Sequence, residues 1–204
     1  MFRNFSIVPN IMFGRGSFNQ LNDIIAPHRV NPDSYFVFVL DDVFKGKSLE
    51  SRLPAQGNDF TLLVNVDDEP KTSYIDALVK QIQNYSEVKP DGIVGIGGGA
   101  TMDIAKAISL MLNNPGSSAD YQGWDLIKNP SVYHVAVPTL AGTGAEISRT
   151  TILTGPVKKL GINSDHTIFH QIVLDPELLE GVPKDQWFYT GMDCYIHDVE
   201  SLHG

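Results

Sequence analysis

Gly92-Ile93-Val94-Gly95-Ile96-Gly97-Gly98-Gly99-Ala100-Thr101-Met102-Asp103-Ile104-Ala105-Lys106 is the stretch on which the fold turns. Gly92 to Ile96 is a short continuous apolar run, the pattern of a parallel strand buried on both faces. Thr101 to Leu112 reads as a helix, closed by Asn113-Asn114-Pro115-Gly116. Between them stands Gly97-Gly98-Gly99. Glycines let a backbone approach an anion closely, and the first free N–H groups of a helix point at it with the helix dipole behind them. A pyrophosphate cradle and a tight turn without a ligand both fit, and the order strand, triplet, helix favours the phosphate. The run is not G-x-G-x-x-G, so the usual dinucleotide rule does not transfer directly.

Working outward, Tyr35 to Leu40 and Thr61 to Val66 repeat the buried-strand pattern, as does Tyr133 to Val137. Ser73 to Tyr85 is a helix whose Ile75, Leu78, Val79 and Ile82 share a face. Toward the N-terminus, Phe5 to Phe13 reads as a strand, Gly14-Arg15-Gly16 as a turn, and Ser17 as the N-cap of a helix from Phe18 to Ala26 that Pro27 ends. Strands alternating with helices imply an α/β fold with a doubly wound parallel sheet. The last third differs: Thr150 to Leu153, Leu160 to Asn163 and Gln171 to Leu174 are short strands, and from Lys184 to Gly204 the pattern is helical. We therefore expect a unit over 1–178 and the beginning of a helical domain over 179–204.

The 204 residues carry a net charge of −9 and are 42% hydrophobic. That balance offers no footprint for nucleic acid or an anionic membrane surface. No run approaches the roughly 20 apolar residues of a membrane span, and Met1 to Asn10 lacks the apolar core of a signal peptide, so the cytoplasm is the expected compartment. Cys194 is the single cysteine, read here as a packing residue.

Asp41, at the carboxyl end of its strand, is suited to a ribose hydroxyl and would repel a 2′-phosphate, favouring NAD over NADP; a solvated turn aspartate is the other reading. Pro138-Thr139-Leu140-Ala141-Gly142-Thr143-Gly144-Ala145-Glu146 follows another buried strand and can line a nucleotide opposite the first loop. Asp193 and His197 are four apart on a helix, so they stack on one face. They can share a divalent cation or simply bond to each other, and two ligands do not complete a site. The remaining histidines, 28, 134, 166, 170 and 203, read as surface or structural, with His166 and His170 considered for the cleft.

Together with Phe13-Gly14-Arg15-Gly16-Ser17, Leu174-Asp175-Pro176-Glu177-Leu178 and Gly191-Met192-Asp193-Cys194-Tyr195-Ile196-His197, these segments resemble the iron-containing alcohol dehydrogenase family over essentially the whole chain. The resemblance implies a Rossmann-like dinucleotide domain followed by the start of an all-helical metal-binding domain. It implies pyrophosphate binding at Gly97, Gly98, Gly99 and the turn around Asp103. Thr139, Leu140 and Thr143 inherit the nicotinamide side, Lys159 a place near the nicotinamide ribose, and Asp193 and His197 two of four ligands to Fe²⁺ or Zn²⁺. NAD or NADP is the implied cofactor, a small alcohol or sugar acid the substrate, and a homodimer the expected assembly.

Ala100 and Ala145 stand where serines are usual, Phe169 where proline is common, and Cys194-Tyr195-Ile196 where Ala-Leu-Thr is usual. The last of these resembles a bacterial branch that oxidises the 8-hydroxyl of 3-deoxy-manno-octulosonate. The family's other two ligands are histidines of a later helical domain, beyond Gly204. A lyase of the dehydroquinate synthase type and a non-catalytic nucleotide-binding module are the competing readings.

Overall fold

The computed structural model describes residues 6–30 and 33–203. Its centre is a six-stranded parallel sheet built from β1 (Ile11–Phe13), β2 (Phe36–Asp41), β3 (Phe60–Val64), β4 (Gly92–Gly97), β6 (Tyr133–Pro138) and β9 (Gln171–Leu174). The spatial order is β1-β9-β6-β4-β2-β3. A second sheet of three strands, β5 (Gly123–Trp124), β7 (Thr150–Thr154) and β8 (Lys159–Asn163), takes the order β5-β8-β7, with β7 and β8 antiparallel.

The apolar runs form central strands because both sheet faces are covered. All six residues of β2 and all six of β4 are buried. The two-residue period of a strand then sorts their side chains. Val37, Val39 and Ile93 join the core under α3 (Thr72–Tyr85) and α4 (Gly99–Met111), with Ile75, Ile82, Ile104 and Ile108. Phe36, Phe38, Leu40, Val94 and Ile96 go to the other face, against Leu21 and Ile25 of α1 (Leu21–Ile25) and Leu49 of α2 (Ser48–Ser51).

From β2 the chain winds outward to β3, then crosses back to place β4 on the other side of β2. The order therefore reverses between β2 and β4. A crevice outside the carboxyl ends of strands at such a reversal is where open α/β sheets bind ligands.

Near the N-terminus the structure corrects the sequence reading. The strand is only Ile11–Phe13, and Phe5 lies outside the described residues. The expected single helix over Phe18 to Ala26 is α1 flanked by 3₁₀ turns at Ser17–Gln20 and Ala26–His28, with Pro27 inside the second. Ser17 is not the cap. Gly16 takes that position with φ 76°, and Ser17 Oγ donates to the Leu174 carbonyl at 3.2 Å. The capping carboxylate comes from far along the chain: buried Asp175 accepts from the Gly16 and Phe18 amides, each at 3.0 Å. It out-competes Ser17 because a charged acceptor makes stronger bonds to amides than a hydroxyl.

The chain ends in α5 (Lys184–Ser201), of which Thr190 alone is buried among the described residues. Cys194 is exposed on it, not packed as its residue type suggested, because α5 lies on the outside of the α/β unit. Among the described residues no helix is long and apolar enough to cross a membrane.

Candidate functional site

The reversal point brings two glycine-containing loops together. At the end of β4, the Gly97 carbonyl accepts from the Thr139 amide, 2.9 Å away just past the end of β6. Gly98 is the N-cap of α4 and faces Leu140, whose Cδ2 lies 3.7 Å from where a Gly98 β-carbon would stand. Gly99 opens the helix directly under Thr143: a β-carbon there would lie 2.7 Å from Thr143 Oγ1 and 3.0 Å from its Cγ2. Only glycine admits this approach. Gly97, Gly98, Gly99, Thr139, Leu140 and Thr143 are thus neighbours.

The cradle suits an anion. The opening amides of a helix lack intrahelical partners and sit at the positive end of its dipole. Beneath it, the fully buried Thr101 hydroxyl finds no partner among the described atoms. Asp41 borders the same turn, its Cβ 3.0 Å from where a Gly97 β-carbon would stand. One of its carboxylate oxygens accepts from the Val43 amide at 3.0 Å and caps the 3₁₀ turn Asp42–Phe44. Burial raises the Asp41 pKa against the lowering effect of that bond.

Asp103 lies on the second turn of α4, and Thr151 Oγ1 donates to its carbonyl at 2.7 Å. Burial lifts the Asp103 carboxyl to about 7, with Lys106 pulling it down. Lys106, quoted in the motif but given no role by sequence reasoning, is fully buried. Its Nζ donates to the carbonyls of Ala145 at 2.5 Å, Ser148 at 2.7 Å and Thr150 at 3.0 Å. A lysine among the apolar residues of a helix that follows a buried strand, one turn after Asp103, was the available signal. Lys159 opens β8 and pairs with Glu69 at 2.5 Å on the exposed surface. It remains close enough to favour the ionised form of Asp103.

α5 is seated on the second loop. A β-carbon on Gly142 would lie 2.9 Å from both the carbonyl carbon and the Cβ of Thr190 and would overlap the Thr190 oxygen. Asp193 and His197 follow Thr190 by three and seven residues, so they share its helix face. His197 Nε2 lies 3.8 Å from Asp193 Oδ1, with both side chains about half exposed. A carboxylate and an imidazole so placed fit a divalent cation as part of a ligand set. Among the described residues no group of three or more His, Cys, Asp or Glu is placed to hold one.

The histidines considered for the cleft do not enter these loops. His170 precedes β9 and meets His134, the second residue of β6, with their Nδ1 atoms 3.1 Å apart. These are the amino ends of parallel strands, opposite the crevice. His166 lies in the 3₁₀ turn Asp165–Thr167, its amide on Ser164 Oγ.

The sequence pattern described as iron-containing alcohol dehydrogenase matches residues 9–176. The chain belongs to that family.

Among relatives within the iron-containing alcohol dehydrogenases, it is similar to the sulfoacetaldehyde reductase of Bilophila wadsworthia (strain 3_1_6), 32% identical over 160 residues covering 78% of this chain and 41% of that protein. It is also similar to the 4-hydroxybutyrate dehydrogenase of Cupriavidus necator, 36% identical over 69% of this chain and 38% of that protein. The crystal structure of sulfoacetaldehyde reductase from Bifidobacterium kashiwanohense in complex with NAD⁺ superposes with a TM-score of 0.77 at 26% identity, over 95% of this chain and 51% of that one. A 1,3-propanediol oxidoreductase shares the fold, with a TM-score of 0.82 at 21% identity over 95% of this chain and 50% of that one. The chain spans about half the length of these solved structures and less of the two relatives.

Proposed function

We propose that this chain is the nucleotide-binding part of an alcohol oxidoreductase that transfers hydride between a small hydroxyl- or aldehyde-bearing molecule and a nicotinamide cofactor. The observation that carries the reading is the meeting of the two loops at the reversal point, Gly97–Thr139, Gly98–Leu140 and Gly99–Thr143. In this reading residues 1–178 form the dinucleotide domain and 179–204 begin the helical metal-binding domain.

The amides at Gly97, Gly98 and Gly99 and the turn to Asp103 bind the pyrophosphate; Thr139, Leu140 and Thr143 line the nicotinamide half, with Lys159 by its ribose. Asp41 faces the adenosine ribose and selects NAD over NADP by repelling a 2′-phosphate. The NAD⁺ bound in the related reductase supports that choice. Asp193 and His197 supply two ligands to a divalent cation, and His197 must offer an unprotonated nitrogen. Both ligand types suit Fe²⁺ and Zn²⁺; the family's name supports iron. When bound, the nicotinamide exchanges the hydride and the cation polarises the substrate oxygen.

The substrate we favour carries an acidic group, as in the sugar acid 3-deoxy-manno-octulosonate with its 8-hydroxyl. Sulfoacetaldehyde and 4-hydroxybutyrate, named in two relatives, are acids of small size. The test is absorbance at 340 nm with NAD⁺, Fe²⁺ or Zn²⁺ and a panel of alcohols and sugar acids. Net reduced nucleotide, abolished in Asp193→Ala and His197→Ala, supports the reading. Turnover without net reduced nucleotide would indicate a lyase, and NADH binding without turnover would leave a nucleotide-binding module.

A further inference from the structure

Lys106 reaches the second loop from the helix that carries the first. Its ammonium has three N–H bonds, and three main-chain carbonyls surround it: Ala145, Ser148 and Thr150. Ser148 Oγ adds a contact at 3.1 Å and itself donates to the Thr150 carbonyl at 3.0 Å. The Phe169 ring centre lies 5.4 Å from Nζ. These carbonyls belong to the end of the loop that begins at Thr139 and to the start of β7. A buried ammonium with every N–H bonded to main chain fixes where that main chain lies.

We infer that Lys106 is a positioning residue that sets the distance between the pyrophosphate cradle and the nicotinamide side of the crevice; the inference rests on the nucleotide reading above. α4 bears the cradle at its first residue, Gly99, and the clamp two turns later at Lys106. One rigid helix therefore holds both loops. Without the ammonium, the carbonyls of Ala145, Ser148 and Thr150 lose their shared donor, and the stretch 143–150 keeps only its turn bonds to the Gly144 carbonyl and the contacts of Arg149 and Thr150 with the second sheet and its turns, none of which ties it to α4. The adenine and pyrophosphate half of the cofactor, bound at the other end of α4, does not depend on this clamp.

The experiment compares NADH and ADP binding, by fluorescence and calorimetry, in the wild-type protein and Lys106→Met. The expected result is at least a tenfold loss of NADH affinity with ADP affinity changed less than twofold, and faster amide exchange confined to 143–150. Lys106→Arg, which keeps the charge, is expected to recover part of the NADH affinity. Equal losses for ADP and NADH, or none for either, would overturn the inference. If Lys106→Met does not fold, Ser148→Ala decides: about a threefold loss for NADH alone supports the clamp, and an equal or absent effect on the two ligands overturns it. Failure of the wild-type protein to bind either nucleotide would instead overturn the nucleotide reading, and the positioning role with it.

Discussion

Gly142 and Thr190 are in backbone contact: the place where a Gly142 β-carbon would stand is 2.9 Å from the carbonyl carbon of Thr190. This contact joins the loop that follows β6 to the helix that carries Asp193 and His197, and Thr190 is the buried residue of that helix. Gly142 also has φ +141°, which L side chains rarely adopt. Gly142→Ala is expected to destabilise the protein by about 1–3 kcal/mol, the range for an overpacked site. Urea unfolding reads the loss. Chymotrypsin cleavage at the exposed Trp187, Phe188 and Tyr189 should accelerate as α5 lifts. Unchanged stability together with unchanged cleavage would mean that α5 is held elsewhere.

Asp175 is 1% exposed and accepts three amides, those of Gly16, Phe18 and Glu177, each at 3.0 Å. Hydrogen bonds to a charged acceptor contribute about 1.5–3 kcal/mol each, less than additively when they share it. Asp175→Ala should lower unfolding stability by roughly 3 kcal/mol, and Asp175→Asn by less, since one oxygen acceptor remains. Equal stability of Asp175→Ala and the wild type in a urea titration would refute the capping role.

Acid should weaken the fold through the histidine pair. His134 is fully buried and burial, with His170 beside it, depresses its pKa to about 3; His170 is lowered as well, by burial first and His28 second. A depressed folded-state pKa means that the unfolded chain binds more protons below about 6.5, so stability is full above that pH and falls as pH drops toward 3. The slope from one such group is at most about 1.4 kcal/mol per pH unit. His134→Gln should flatten the stability profile between pH 6.5 and 4, measured by thermal melts across pH. An unchanged profile would show that other groups govern acid sensitivity.

Asp41 tests cofactor choice. Asp41→Asn removes the charge and keeps an oxygen for the Val43 amide. The ratio of NADPH to NADH affinity should rise about tenfold, equivalent to ~1.4 kcal/mol. Competition binding of the two nucleotides measures it, and a constant ratio would assign Asp41 to the turn alone.

Five strands of the central sheet, β2, β3, β4, β6 and β9, and the glycine turn between β4 and α4 are legible in the sequence alone, whereas β1 is shorter than its apolar pattern suggests. Residues buried on both faces must be apolar in an unbroken run, and a strand that turns at once into a helix lying close under another loop favours glycine; both requirements leave a local pattern. It also indicated the alternation that makes the sheet parallel, and the Asp193–His197 spacing on one helix face. Tertiary structure decided partners. Which strand lies beside β2, and therefore where the order reverses, depends on pairings across more than 50 residues that no local pattern records. Asp175 displaced Ser17 as the cap for the same reason: the competition is settled by a carboxylate some 160 positions away. Lys106 stands in the motif, but its role is not legible there, because its three carbonyl partners come from main chain and have no side-chain signature. His170 went to His134 and away from the crevice, since residues at the amino ends of parallel strands meet on the side opposite the carboxyl ends.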